Sequence, residues 1–177
     1  MKIWMIILLM LWMPGALAAT AEPPEEIVIY DLEDVPADEG AHWVRFDAAF
    51  RLMIPEGWKQ YALSEAQAEN NMIACFGDGE YYLFVSREAG AYADMAEYEA
   101  ALAASGAAEA IFPAQFGGAD FLCYSDYESE SSNCGALVAD AVYTFYFYPA
   151  SGDEALAQTT IDIMESFALE DTEVADE

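Results

Sequence analysis

Val142 to Tyr148 reads Val-Tyr-Thr-Phe-Tyr-Phe-Tyr, the strongest β segment in the chain, and Pro149 ends it. β-branched and aromatic side chains at this density favour a pleated, half-buried surface over a helix. Two further β-rich runs, Ala119 to Tyr127 and Asn133 to Ala139, precede it, separated by the polar stretch Glu128-Ser129-Glu130-Ser131. Consecutive strands joined by short turns predict an antiparallel meander, so a sheet of that kind is the frame into which the other elements must fit.

Upstream, Phe50, Leu52 and Ile54 alternate with Arg51 and Met53, giving a half-buried strand that Pro55-Glu56-Gly57 terminates. Asn71 to Phe76 and Glu80 to Ser86 form a hairpin through Gly77-Asp78-Gly79. Then the period changes. Asp94 with Glu97 resembles a capping box opened by Asp, Met95, Tyr98 and Leu102 follow at helical spacing, and Gly106 supplies a stop. A second helix opens on Ser151 with Glu154, and Leu156, Thr160, Ile163, Met164 and Phe167 mark one face of it. The order of strand, hairpin, helix, three-strand meander and helix predicts an α+β fold, an antiparallel β-sheet packed by two amphipathic helices.

The ends read differently. Lys2 followed by the apolar run Ile3 to Met13, the break Pro14-Gly15 and the Ala16-Leu17-Ala18 site have the form of a secretory signal peptide cleaved after Ala18. The run is much shorter than the roughly 20 apolar residues of a membrane-spanning helix. No cysteine precedes Cys75, so the leader offers no lipid-anchor site, and the expected location is secreted or otherwise extracytoplasmic. Thr20 to Gly40 carries eight acidic residues and no basic one, with a short strand expected at Ile27 to Tyr30. The expected organisation is a signal peptide at 1–18, an acidic flexible leader at 19–41, a single α+β domain at 42–169 and an acidic tail at 170–177.

Charge excludes more than it names. Asp and Glu number 33 against 5 Lys and Arg, a net charge of −28. No basic patch for nucleic acid can be built from so few cations, and an anionic membrane surface would repel the chain. Solvation and mutual repulsion are the plain account of such acidity, with high-salt adaptation or docking onto a basic partner beside it. Divalent cations would associate weakly and without specificity, because no calcium-loop pattern is present and Asp78-Gly79-Glu80 offers too few ligands.

Three cysteines cannot all pair within one chain. Cys123 and Cys134 flank the Glu128 to Ser131 stretch, and a hairpin turning there would place them opposite each other, within reach of a disulfide. Three buried core thiols is the competing reading, and the sequence leaves both open. Zinc is not expected, since there is no Cys-x-x-Cys and the one histidine, His42, lies far from all three. His42 would also have to serve any Ser or Cys nucleophile, and no Gly-x-Ser-x-Gly elbow or phosphate-binding Gly-rich loop occurs. Paired carboxylates are the remaining catalytic route, and with so many acids no pair can be singled out. No catalytic, metal or cofactor-binding residue is assigned.

Trp58, after the Pro55-Glu56-Gly57 turn, swings back onto the sheet edge, either as a structural plug or, with Tyr61, as the wall of a ligand or partner groove. The aromatic strand offers two further candidate surfaces, Tyr143, Phe145 and Phe147 on one side and Tyr146 and Tyr148 on the other. Aromatics in alternate register more often build core.

The strand and turn Phe50-Arg51-Leu52-Met53-Ile54-Pro55-Glu56-Gly57-Trp58, the element order after it and the closing Ile163-Met164-Glu165-Ser166-Phe167 resemble the PsbP/Mog1-like α/β sandwich family, across about Trp43 to Leu169. That fold is used mostly by binding or assembly factors, including photosystem II extrinsic subunits, a nuclear-transport GTPase cofactor and small secreted bacterial proteins. No family functional residue matches a position here. The resemblance implies a non-catalytic binding or interaction module; with the signal-like leader and the acidic charge, the expected function is an exported module whose partner is a basic protein or an envelope component. A small hydrolase using buried carboxylates is the alternative.

Overall fold

The computed structural model describes residues 32–33, 41–46, 49–106, 108–126, 129–150 and 154–170. The chain runs β1 (Leu32–Glu33), β2 (His42–Phe46), β3 (Phe50–Ile54), β4 (Lys59–Gln60), α1 (Glu65–Glu69), β5 (Met72–Gly77), β6 (Tyr82–Ala89) and α2 (Met95–Ser105). It continues through β7 (Glu109–Phe116), β8 (Ala119–Asp126), β9 (Ser131–Val138), β10 (Ala141–Tyr148), α3 (Glu154–Glu165) and β11 (Ala168–Leu169). The signal-like segment, the strand expected at Ile27 to Tyr30, the Ser151 cap and the tail beyond residue 170 lie outside the described residues.

The meander is the centre of the molecule. β10 pairs antiparallel with β9 on one side and β6 on the other, inside a seven-stranded sheet of order β4-β5-β6-β10-β9-β8-β7. A four-stranded sheet, β1-β2-β3-β11, forms separately. The architecture is α+β, mostly antiparallel sheet with three helices among the described residues.

Strand alternation sorts the two faces of the large sheet. Tyr143, Phe145 and Phe147 point inward with Leu83, Val85, Phe121, Cys123, Cys134 and Ala136. Val44, Phe46, Phe50, Leu52 and Ile54 of the small sheet join them, as do Ile163 and Met164 of α3 and the following Phe167. Phe50 is fully buried and its ring lies 4.9 Å from Phe46, 4.8 Å from Tyr143, 5.6 Å from Phe145 and 4.9 Å from Phe167. The Tyr143, Phe145 and Phe147 side is therefore core rather than a docking surface, whereas Tyr146 and Tyr148 on the other face remain half-buried.

That other face is covered in part by α2. Asp94 caps the helix by accepting from the Glu97 N–H at 2.9 Å, Glu97 returns a carboxylate to the Ala93 N–H at 2.7 Å, and Gly106 takes the left-handed cap. Tyr98 packs on Leu122 and Val142, with Met95 and Leu102 against the same cluster. Its hydroxyl lies 3.3 Å from Thr144 Oγ1.

Strands β1, β4, β7 and β11 and helix α1 are not among the expected elements. β7 contains Pro113, which removes a ladder donor; it is tolerated because β7 is the edge strand. α1 is a single five-residue helix closed by a capping box between Ser64 and Gln67. β1, β4 and β11 have two residues each, too short to show a periodicity, whereas β3 realises the expected alternation of Phe50, Leu52 and Ile54.

Candidate functional site

The turn after β3 carries the chain from one sheet to the other. β3 belongs to the small sheet, whereas β4 pairs with Phe76 and Gly77 at the edge of the large one. Pro55 ends the first strand, Gly57 takes a φ of 83°, and the Trp58 N–H closes the turn on the Pro55 carbonyl at 3.2 Å. This turn seats the indole between the sheets, buried in the main core and forming one wall of a cleft.

Four other segments complete the cleft, one of them β9 through Ser132. Asp78 Oδ1 accepts from the backbone N–H groups of Glu80 and Tyr81, both at 2.9 Å, which folds the β5–β6 turn and sets Tyr81 and Tyr82 at the wall. Phe147 and Tyr148 come from the end of β10, and Thr160 and Ile161 from α3. The Tyr82 hydroxyl donates to the Gly79 carbonyl at 3.0 Å, and burial, then nearby Tyr61, Cys75 and Asp78, raises its pKa. Ile161 stands at the rim as one of the exposed large apolar side chains.

The cleft holds about 190 Å³. Pockets that enclose a drug-sized ligand run to about 300–1,000 Å³, so this one accommodates a single side chain or a group of similar size. Among the described residues no Asp, Glu, Lys, Arg or His lines it. Its described polar side chains are the hydroxyl-bearing Tyr, Ser and Thr and the indole of Trp58, suited to an uncharged or weakly polar guest.

Of the two residues singled out in the sequence, Trp58 lines this cleft and Tyr61 does not. Tyr61 is half-buried one ring further out, its centroid 5.5 Å from that of Tyr82 in an edge contact. Tyr81, Tyr82 and Thr160 escaped the sequence reading as site residues. Thr160, expected on the core stripe of its helix, is half-buried at the cleft wall.

Among residues whose side chains are described, no Asp or Glu is buried, and the buried polar groups are Ser86, Ser131, Asn133 and Thr144. Arg45 Nε and Glu170 Oε1, 3.4 Å apart, form a half-buried ion pair between β2 and the residue after β11. Among the described residues no group of three or more His, Cys, Asp or Glu could hold a metal ion, and no helix is long and apolar enough to cross a membrane.

Cys123 and Cys134 face each other directly across β8 and β9, with their sulfurs 2.9 Å apart. Both are buried thiols in the main core. Cys75 is buried too, and desolvation pushes its thiol up to about 12. No protein-family model matches this chain, and none of the curated proteins matches it.

Proposed function

We propose that the chain is an exported, non-catalytic binding module whose Trp58 cleft receives one side chain of a protein partner. The observation that carries this is the cleft itself, which is too small for a substrate of ordinary size, apolar-walled and without a charged side chain among its described lining residues. The exposed carboxylates support a basic protein or envelope component as the partner, since opposite charge speeds encounter and suppresses wrong partners. The PsbP/Mog1-like resemblance at Phe50 to Trp58 is consistent with the same reading, as is the turn geometry that joins the two sheets. A carboxylate hydrolase would need two acids facing each other across a cleft, and no such pair stands among the described lining residues.

Export makes a direct prediction. The protein recovered from the extracytoplasmic fraction is expected to begin at Ala19, read by intact mass and N-terminal sequencing; a chain retaining Met1 to Ala18 would overturn the leader assignment.

Binding is tested by placing the photo-crosslinking residue benzoylphenylalanine at Ile161 in producing cells. The expected result is an adduct with one basic extracytoplasmic protein, weakened by salt and lost when Thr160→Trp fills the cleft. The same probe at exposed Phe112 is expected to give none. Equal adducts at both positions, or an Ile161 adduct indifferent to the Thr160 substitution, would sink the assignment of the cleft.

A further inference from the structure

We infer that Cys123 and Cys134 are a cross-strand disulfide site, closed by exchange with a disulfide-bearing thiol oxidant, and that Cys75 is left as the chain's one thiol. Register carries the first half of this. The two residues are directly opposed in β8 and β9, and the same row continues to Phe145 in β10. Opposed Cα atoms in an antiparallel pair are about 4.5–5.5 Å apart, within the range a disulfide spans. The sulfurs at 2.9 Å need to approach by less than an ångström to reach the bonded distance of about 2.05 Å. No change of strand register is required.

The thiols also lie within hydrogen-bond distance of each other, where either can donate. That bond holds the pKa of Cys123 below the ordinary thiol value, while the same bond and then burial raise Cys134. Cys123 is thus the better thiolate of the pair. Its sulfur attacks one sulfur of the oxidant disulfide, forming a mixed disulfide and releasing the first thiolate. Cys134, giving its proton to that leaving thiolate, then attacks the Cys123 sulfur and expels the second. The two cysteines lose two electrons and two protons together, and the oxidant is reduced to two thiols.

Cys75 takes no part. It is paired in register with Phe84, on the face of the sheet opposite Leu83 and Val85, and therefore opposite the other two cysteines. Burial keeps it protonated, so it is a poor nucleophile toward oxidants or a second copy of the chain.

The test uses the full chain, reduced and then equilibrated while folded with excess oxidised glutathione. The expected product is two hydrogen masses lighter, gives a Cys123–Cys134 crosslinked peptide on digestion, and shows one alkylatable thiol after denaturation instead of three. Its melting temperature is expected to exceed that of the reduced form by about 5–10 °C, from the loop entropy removed in the unfolded state. Cys75→Ala is expected to lose the last thiol and keep the mass change, whereas Cys134→Ala abolishes the change. Three alkylatable thiols after prolonged equilibration, or a crosslink through Cys75, would overturn the inference. The outcome does not depend on any partner or on export, so it stands or falls separately from the binding function.

Discussion

Phe50→Ala is expected to lower the unfolding free energy by about 3–5 kcal/mol, the range for emptying a buried phenylalanine site. Phe50 is 0% exposed, and its ring meets Phe46 of β2, Tyr143 and Phe145 of β10 and Phe167 after α3. The side chain therefore joins the small sheet, the large sheet and the last helix at one point. Removing it deletes aromatic contacts to each layer, and strands already committed to two sheets cannot close the space by a simple shift. At roughly 3 °C per kcal/mol for a domain of this size, the melting temperature should fall by about 10–15 °C. Phe112→Ala is the matched control: that ring is 54% exposed on the edge strand, so its loss should cost within about 0.5 kcal/mol. Urea unfolding of both variants decides the matter. Equal midpoints would mean that the layers are not held together through Phe50.

The elements legible in the sequence are those whose signals are local. The second helix announced itself by a cap at Asp94, a stripe at Met95, Tyr98 and Leu102 and a stop at Gly106, and all three are realised. The Pro55-Glu56-Gly57 turn was equally readable, because proline and glycine restrict the backbone wherever they stand. What it connects was not readable, since β3 joins the sheet of β2 and β4 that of β5, and neither pairing leaves a mark in the turn itself. Strand β7 was hidden by Pro113, whose tolerance depends on being at an edge, a property of the whole topology. The cleft is illegible for the same reason: Trp58, Tyr82, Tyr148 and Thr160 come from four separate segments. Alternation did separate Tyr143, Phe145 and Phe147 from Tyr146 and Tyr148. It could not say which set faces the second sheet.

Charge and cleft play different parts in binding. The acids stand in water and act at long range, so they govern how often a basic partner arrives and are screened by salt. The apolar cleft acts only on contact and sets how long the partner stays. Substitutions at Thr160 or Ile161 should therefore change dissociation more than association, and surface carboxylates the reverse.

Gly135→Ala should destabilise the protein by about 2–3 kcal/mol, against the direction of strand propensity. On propensity alone, alanine is favoured over glycine inside a strand by about 0.5–1 kcal/mol. Packing reverses the sign. A Cβ at Gly135 would collide with the Tyr98 hydroxyl and stand 2.8 Å from Cε1 and Cζ of the same ring. Tyr98 is 4% exposed beneath its own helix, so the ring can yield only by displacing α2 or breaking the contact with Thr144. Overpacking of this kind costs about 1–3 kcal/mol, and a lost buried hydrogen bond about 1 kcal/mol more. The cause can be isolated with Tyr98→Leu, which removes the colliding ring atoms while keeping an apolar side chain over Leu122 and Val142. In that background Gly135→Ala should be neutral or mildly stabilising, giving a coupling of about 2 kcal/mol in a double-mutant cycle read by urea unfolding. Additive effects would show instead that the glycine serves the backbone of β9 and not the seating of α2.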